Sequence, residues 1–145
     1  MRLWHYQLLS VLPENQFKGQ LRELVLIMKN RREEKCNHLL INKVMDYLGN
    51  DLYAYAELYL VEYIKRYHKT PKSLTEEMKI YEKDFGKGKP TEIFKDWHNY
   101  EYLRICMANL YEKHKYAKGK SRITDKEWDK LSHKYFELTK EDYQI

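Results

Sequence analysis

Cysteine is scarce: Cys36 and Cys106 are the only two, 70 positions apart, with no CxxC or mixed Cys/His spacing around them. That excludes a disulfide framework and a structural zinc site and leaves two reduced thiols. Long apolar runs are missing as well. Nothing approaches the 18 or more residues that a bilayer crossing requires, and the start of the chain has neither the apolar stretch nor the small-residue cleavage site of a signal peptide. A soluble, cytoplasmic protein without a membrane partner is therefore expected. No internal repeat, low-complexity tract, dividing linker or convincing strand is visible, which directs the reading to an all-α fold in a single compact domain spanning 1–145.

Charge is plentiful. Of the 145 residues 34% are charged, and 27 Lys+Arg against 22 Asp+Glu leave a net +5 with a pI near 9.0. This balance favours a polyanionic partner without specifying one. Three basic clusters, at 65–72, 83–89 and 113–122, read as solvated surface or as a phosphate track.

Helical periodicity dominates the rest. Pro13 opens a helix over 13–30 through Phe17, Leu21, Leu24, Leu26, Ile27 and Met28, followed by a charged connector from Arg31 to Lys35. A shorter helix is predicted from His38 to Leu48, ending near Gly49. Asp51 then reads as the cap of a long helix from Leu52 to His68, in which Leu52, Tyr55, Tyr59 and Tyr63, with Leu58, Val61 and Ile64, make one broad buried stripe. Tyr53, Tyr55, Tyr59 and Tyr63 are assigned to the core with hydroxyls at its rim. Pro71 breaks the chain, Ser73 with Glu76 resembles a capping box before Leu74–Phe85, and a Gly-Lys-rich joint follows. Trp97–Tyr116 is again helical, with Asn99 as a possible cap, and Thr124 with Glu127 caps a last stretch through Trp128, Leu131, Tyr135 and Leu138. Five or six helices result.

Function is concentrated in the first 24 residues, MRLWHYQLLSVLPENQFKGQLREL, which join an N-terminal amine to an Arg22-Glu23-Leu24 on the first helix. An α-amine titrates near 7.7 to 8.0, so a usable neutral fraction exists around pH 7. The MRLWH opening, the LPxxQ at Leu12–Gln16, Arg22-Glu23-Leu24, His38-Leu39-Leu40-Ile41-Asn42, the aromatic run Tyr53 to Arg66, Trp97-His98-Asn99 and Ala108–Lys113 together resemble the pyrimidine-dimer DNA glycosylases of the endonuclease V type, T-even phage type, in their bacterial branch. The similarity covers most of the chain at low identity, and Arg22-Glu23-Leu24 is its sharpest part.

The resemblance implies a DNA repair glycosylase with AP-lyase activity on ultraviolet-damaged double-stranded DNA, without cofactor or metal; a monomer is expected, although the sequence leaves oligomeric state open. By the same resemblance Met1 supplies the nucleophilic amine, Glu23 is the catalytic carboxylate, and Arg22 holds a phosphate and orients the site. Arg2 beside the amine, His38, His98 and Lys113 are implied DNA contacts. Phage-type relatives expose a threonine after losing methionine; the bulky Arg2 here points to a retained Met1. Leu26 and Asn109 stand where those relatives carry arginines. Read without the resemblance, Glu23 is a solvated helix glutamate and His38 a hydrogen-bonded boundary residue. A glycosylase for another damaged base, or an inactive helical DNA-binding or interaction module, are the competing readings.

Overall fold

The computed structural model describes residues 2–34, 43–87 and 92–145, and among these there is no strand. A 3-10 helix at Tyr6–Val11 precedes α1 (Glu14–Arg32), α2 (Gly49–Tyr67), α3 (Lys72–Phe85), α4 (Tyr100–Lys115), a 3-10 turn at Gly119–Ser121 and α5 (Asp125–Thr139). The fold is all-α. Helix α1 packs chiefly on α3, α3 also on α2, and α5 lies on α4 and on the first 3-10 helix.

Local signals account for most of the helix starts. Pro13 takes the cap position of α1, where a missing N–H costs nothing, and its carbonyl accepts Phe17 N–H at 2.8 Å. Asn99 caps α4 by accepting Tyr102 N–H, and Thr124 and Glu127 form the reciprocal capping box of α5. Asn99 therefore starts α4 at Tyr100, and Trp97 lies in the preceding turn, where Phe94 and Asp96 adopt positive φ.

Several expectations are corrected by packing between distant segments. Gly49 does not end a helix but begins α2, with Leu48 at the cap and Asp51 in the first turn. A Cβ there would overlap the ring of Phe85, so the close approach of α2 and α3 requires glycine. The predicted helix from His38 falls partly outside the described residues; residues 43–45 are helical. No Ser73 capping box forms, because α3 starts at Lys72 after Pro71 and the Thr75 hydroxyl bonds Pro71 O instead. Arg31 and Arg32 belong to α1 and not to a solvated connector: Arg32 grips Glu77 of α3 through Nε and Nη2 at 2.9 and 3.0 Å. Leu58, Val61 and Ile64 lie on the exposed side of α2.

The core is one contiguous cluster, and the start of the chain runs through it. Leu3, Trp4, Leu8, Leu9 and Leu12 are buried against Phe17, Leu24, Ile27 and Met28 of α1, Leu52, Tyr55 and Tyr59 of α2, and Leu103, Met107 and Leu110 of α4. Chain starts are ordinarily loose unless tied down. Here Leu3 and His5 are fully buried.

Candidate active site

The segment Arg2–Trp4 lies between α1 and α4, and its backbone groups alternate direction as they do along a strand. Toward α1, Arg2 N–H donates to Glu23 Oε2 at 2.8 Å, Arg2 O accepts from Gln20 Nε2 at 2.7 Å, and Trp4 N–H donates to Gln20 Oε1 at 2.9 Å. Trp4 O accepts the Tyr55 hydroxyl of α2 at 2.5 Å. Toward α4, Leu3 O accepts the Tyr102 hydroxyl at 2.6 Å. Among the described residues no neighbouring strand is involved. Side chains on three helices take up five backbone groups of this segment.

Glu23 is half-buried on the α1 face that also carries Gly19, Gln20 and Gln16, because positions three and four apart share one side of a helix. These residues form one wall of a cavity of about 380 Å³; Arg2 and Trp4 form its edge, and Asn109, Glu112 and Lys113 of α4 close the far side. The Arg2 guanidinium lies 4.9 Å from the centre of the Trp4 ring, which holds its charge beside the opening. Two cations and two carboxylates thus line one polar space.

Of the residues singled out in the sequence, Glu23, Arg2 and Lys113 are brought together, although Lys113 is far along the chain. Asn109 also lines the cavity and turns its amide onto Ile105 O of its own helix. Arg22 is exposed and does not line the cavity; one helical residue from Glu23, it lies on the adjoining face, with Leu26 one turn further on. The Leu26 replacement accordingly falls outside the cavity wall. Met1 and His38 lie outside the described residues.

His98 has a different place. It is 7% exposed, packs among His5, Phe94, Trp97 and Tyr102, and its Nδ1 accepts Tyr6 N–H at 3.1 Å. That burial gives it the part of a backbone acceptor, and it does not line the cavity that holds Glu23. His5 plays the same part for Gln7 N–H. Burial holds the His98 imidazole well below the usual histidine range, with the neighbouring His5 adding to the effect. It lowers His5 to about 4. Both rings are therefore neutral acceptors at pH 7. Burial likewise pushes up the Cys106 thiol, a free cysteine, and the Tyr55 phenol, whose hydroxyl points inward and not to the rim as expected.

Gln20 and Tyr102 are functional candidates that periodicity did not single out, and Tyr55 was read only as a core residue. Gln20 left one trace in the sequence: it is the polar residue on the buried stripe Phe17, Gln20, Leu24, Ile27 of α1, three positions before Glu23. A buried amide needs partners, and here they are the backbone of residues 2 and 4. Among the described residues no group of three His, Cys, Asp or Glu side chains is placed to hold a metal ion, and no helix is long and apolar enough to cross a membrane.

Comparison with known proteins adds one match. The sequence model of the pyrimidine dimer DNA glycosylase family matches residues 1–75, just over half the chain, which takes in the N-terminal segment, α1, Gln20, Glu23 and Tyr55. No curated protein and no solved structure gives a significant match.

Proposed function

Because the chain belongs to the pyrimidine dimer DNA glycosylase family and DNA is its substrate, we propose that it excises the damaged base with an amine nucleophile and then cleaves the strand as an AP lyase. The Met1 α-amine attacks C1′ of the damaged nucleotide, the bond from C1′ to the base breaks, and the base leaves with a proton. The C1′–O4′ bond then breaks, the ring oxygen takes up a proton as the 4′ hydroxyl, and the nitrogen loses its proton to leave an imine at C1′. The imine acidifies the C2′ proton, and its removal expels the 3′ phosphate by β-elimination. An oxygen nucleophile can release a base but cannot form that imine, so the lyase step calls for nitrogen.

The observation that carries the reading is the bond from Arg2 N–H to Glu23 Oε2 at the edge of a polar cavity. Covalent dimensions alone keep an amine on residue 1 within about 4 Å of that amide nitrogen, and therefore near the carboxylate. In this reading Glu23 stabilises the cationic sugar and moves protons during ring opening and elimination. Arg2 and Lys113 hold phosphates in the cavity, and Arg22, on the adjoining face, takes a flanking phosphate outside it. Lesion access requires the nucleotide to leave the stack.

Borohydride trapping tests this on ultraviolet-irradiated and on abasic duplex DNA, with the cross-linked peptide identified by mass spectrometry. A covalent adduct on the Met1 nitrogen with both substrates is expected. An adduct on an internal lysine, or an active protein whose terminus is acetylated or extended, would overturn the amine assignment. An adduct with abasic DNA alone would move the base specificity elsewhere.

A further inference from the structure

We propose that Gln20 and Tyr102 are positioning residues, a two-sided clamp that registers Arg2–Trp4 so that the N-terminal amine is presented to the sugar beside Glu23. The inference rests on the amine chemistry proposed above. Its basis is the way one carboxamide holds two backbone groups: Gln20 Nε2 donates to Arg2 O and its Oε1 accepts Trp4 N–H, at 2.7 and 2.9 Å. A parallel neighbouring strand would bond its partner in the same manner, through the carbonyl of one residue and the N–H two positions on. The side chain imitates that pairing and fixes register along the segment, which a single hydrogen bond would not.

The opposite edge is held independently. Leu3 O faces away from α1 and accepts the Tyr102 hydroxyl of α4 at 2.6 Å. Gln20 is 1% exposed, and its bond from Trp4 N–H is buried away from competing water. Between them the two side chains fix the segment against α1 and α4, the helices that supply Glu23 and Lys113. The amine is thereby attached to a rigid base, although chain starts are among the most mobile parts of most proteins. Catalysis by an amine and a carboxylate depends on their separation, and a misplacement of about 1 Å can lower rate by roughly a hundredfold. Tyr102 does not line the cavity, and the Gln20 carboxamide, although part of the cavity wall, is committed to the backbone of residues 2 and 4.

Gln20→Met keeps volume and loses both backbone bonds together with the 3.2 Å bond from the Tyr55 hydroxyl, which keeps its bond to Trp4 O, and Tyr102→Phe loses only the hydroxyl. The test compares both with the native protein by single-turnover borohydride trapping on abasic duplex at saturating DNA, alongside DNA affinity, thermal unfolding and hydrogen exchange at Trp4 N–H. Expected are faster exchange in Gln20→Met, trapping slowed by roughly tenfold or more in Gln20→Met and by less in Tyr102→Phe, and DNA affinity within about twofold of native. Folded variants that trap at the native rate, or whose whole loss is in DNA affinity, overturn the clamp. If Gln20→Met fails to fold, Tyr102→Phe decides by the same criteria. Failure of the native protein to trap at its terminus would instead refute the amine reading, while protected exchange at Trp4 would still report the segment as held.

Discussion

Glu23 has two demands on it, since one carboxylate oxygen accepts Arg2 N–H and the group also faces the cavity. Glu23→Gln separates them. An amide oxygen still accepts that N–H, so the fold and the path of residues 2–4 are expected to survive, whereas proton transfer and charge stabilisation at the sugar are lost. Single-turnover strand cleavage on abasic duplex is expected to fall by about 10²–10⁴-fold with an unchanged unfolding midpoint. A variant cleaving within a few-fold of native would remove Glu23 from the chemistry. Glu23 itself was legible in the sequence only through its family-like neighbours Arg22 and Leu24. Gln20 was not singled out, because its importance lies in backbone groups 16 and 18 positions away in the chain.

At the scale of elements, two glycines with the same composition signal behave oppositely. Gly19 is in the middle of α1, and a Cβ there meets nothing within 4 Å. Gly19→Ala is expected to raise stability by about 0.5–1 kcal/mol in a urea titration, from reduced freedom of the unfolded chain and better helix propensity. Gly49→Ala drives a methyl into Phe85 and is expected to cost about 1–3 kcal/mol in the same measurement, as overpacking does. Equal effects of the two substitutions would contradict the packing described. Caps at Asn99 and Thr124 were readable in advance because they use residues three positions apart. The apparent stop at Gly49 misled because what selects glycine there is a ring on another helix.

For the whole molecule, the buried imidazoles make folding sensitive to acid. The folded state holds His5 neutral down to about pH 4, while an unfolded histidine takes up its proton near 6.5. Between those values the unfolded chain binds more protons, so stability rises with pH across the window. The contribution is full above 6.5 and is lost as pH falls toward 4, up to about 3 kcal/mol for His5, with His98 acting in the same direction. Urea midpoints measured from pH 7 to pH 4 are expected to decline in this window, and His5→Asn is expected to flatten that decline. DNA binding provides the second whole-molecule prediction. Lys113→Ala is expected to lower the slope of log affinity against log salt by about one. An unchanged slope would take Lys113 out of the phosphate contacts.

Taken by itself, the sequence determined the all-α class, the extents of its capped helices to within a few residues, the family-like Arg22-Glu23-Leu24 and the basic surface, because each is written in spacings of a few residues. Tertiary structure alone decided that residues 3–5 are buried, that Gln20, Tyr55 and Tyr102 hold the segment Arg2–Trp4, that Lys113 joins Glu23 at one cavity while Arg22 faces outward, and that His98 is a core acceptor. The reason is physical. Helix periodicity is a local property of the chain, but a hydrogen bond needs its partners within about 3 Å, and only the packing of α1, α2 and α4 around residues 2–6 brings those partners together.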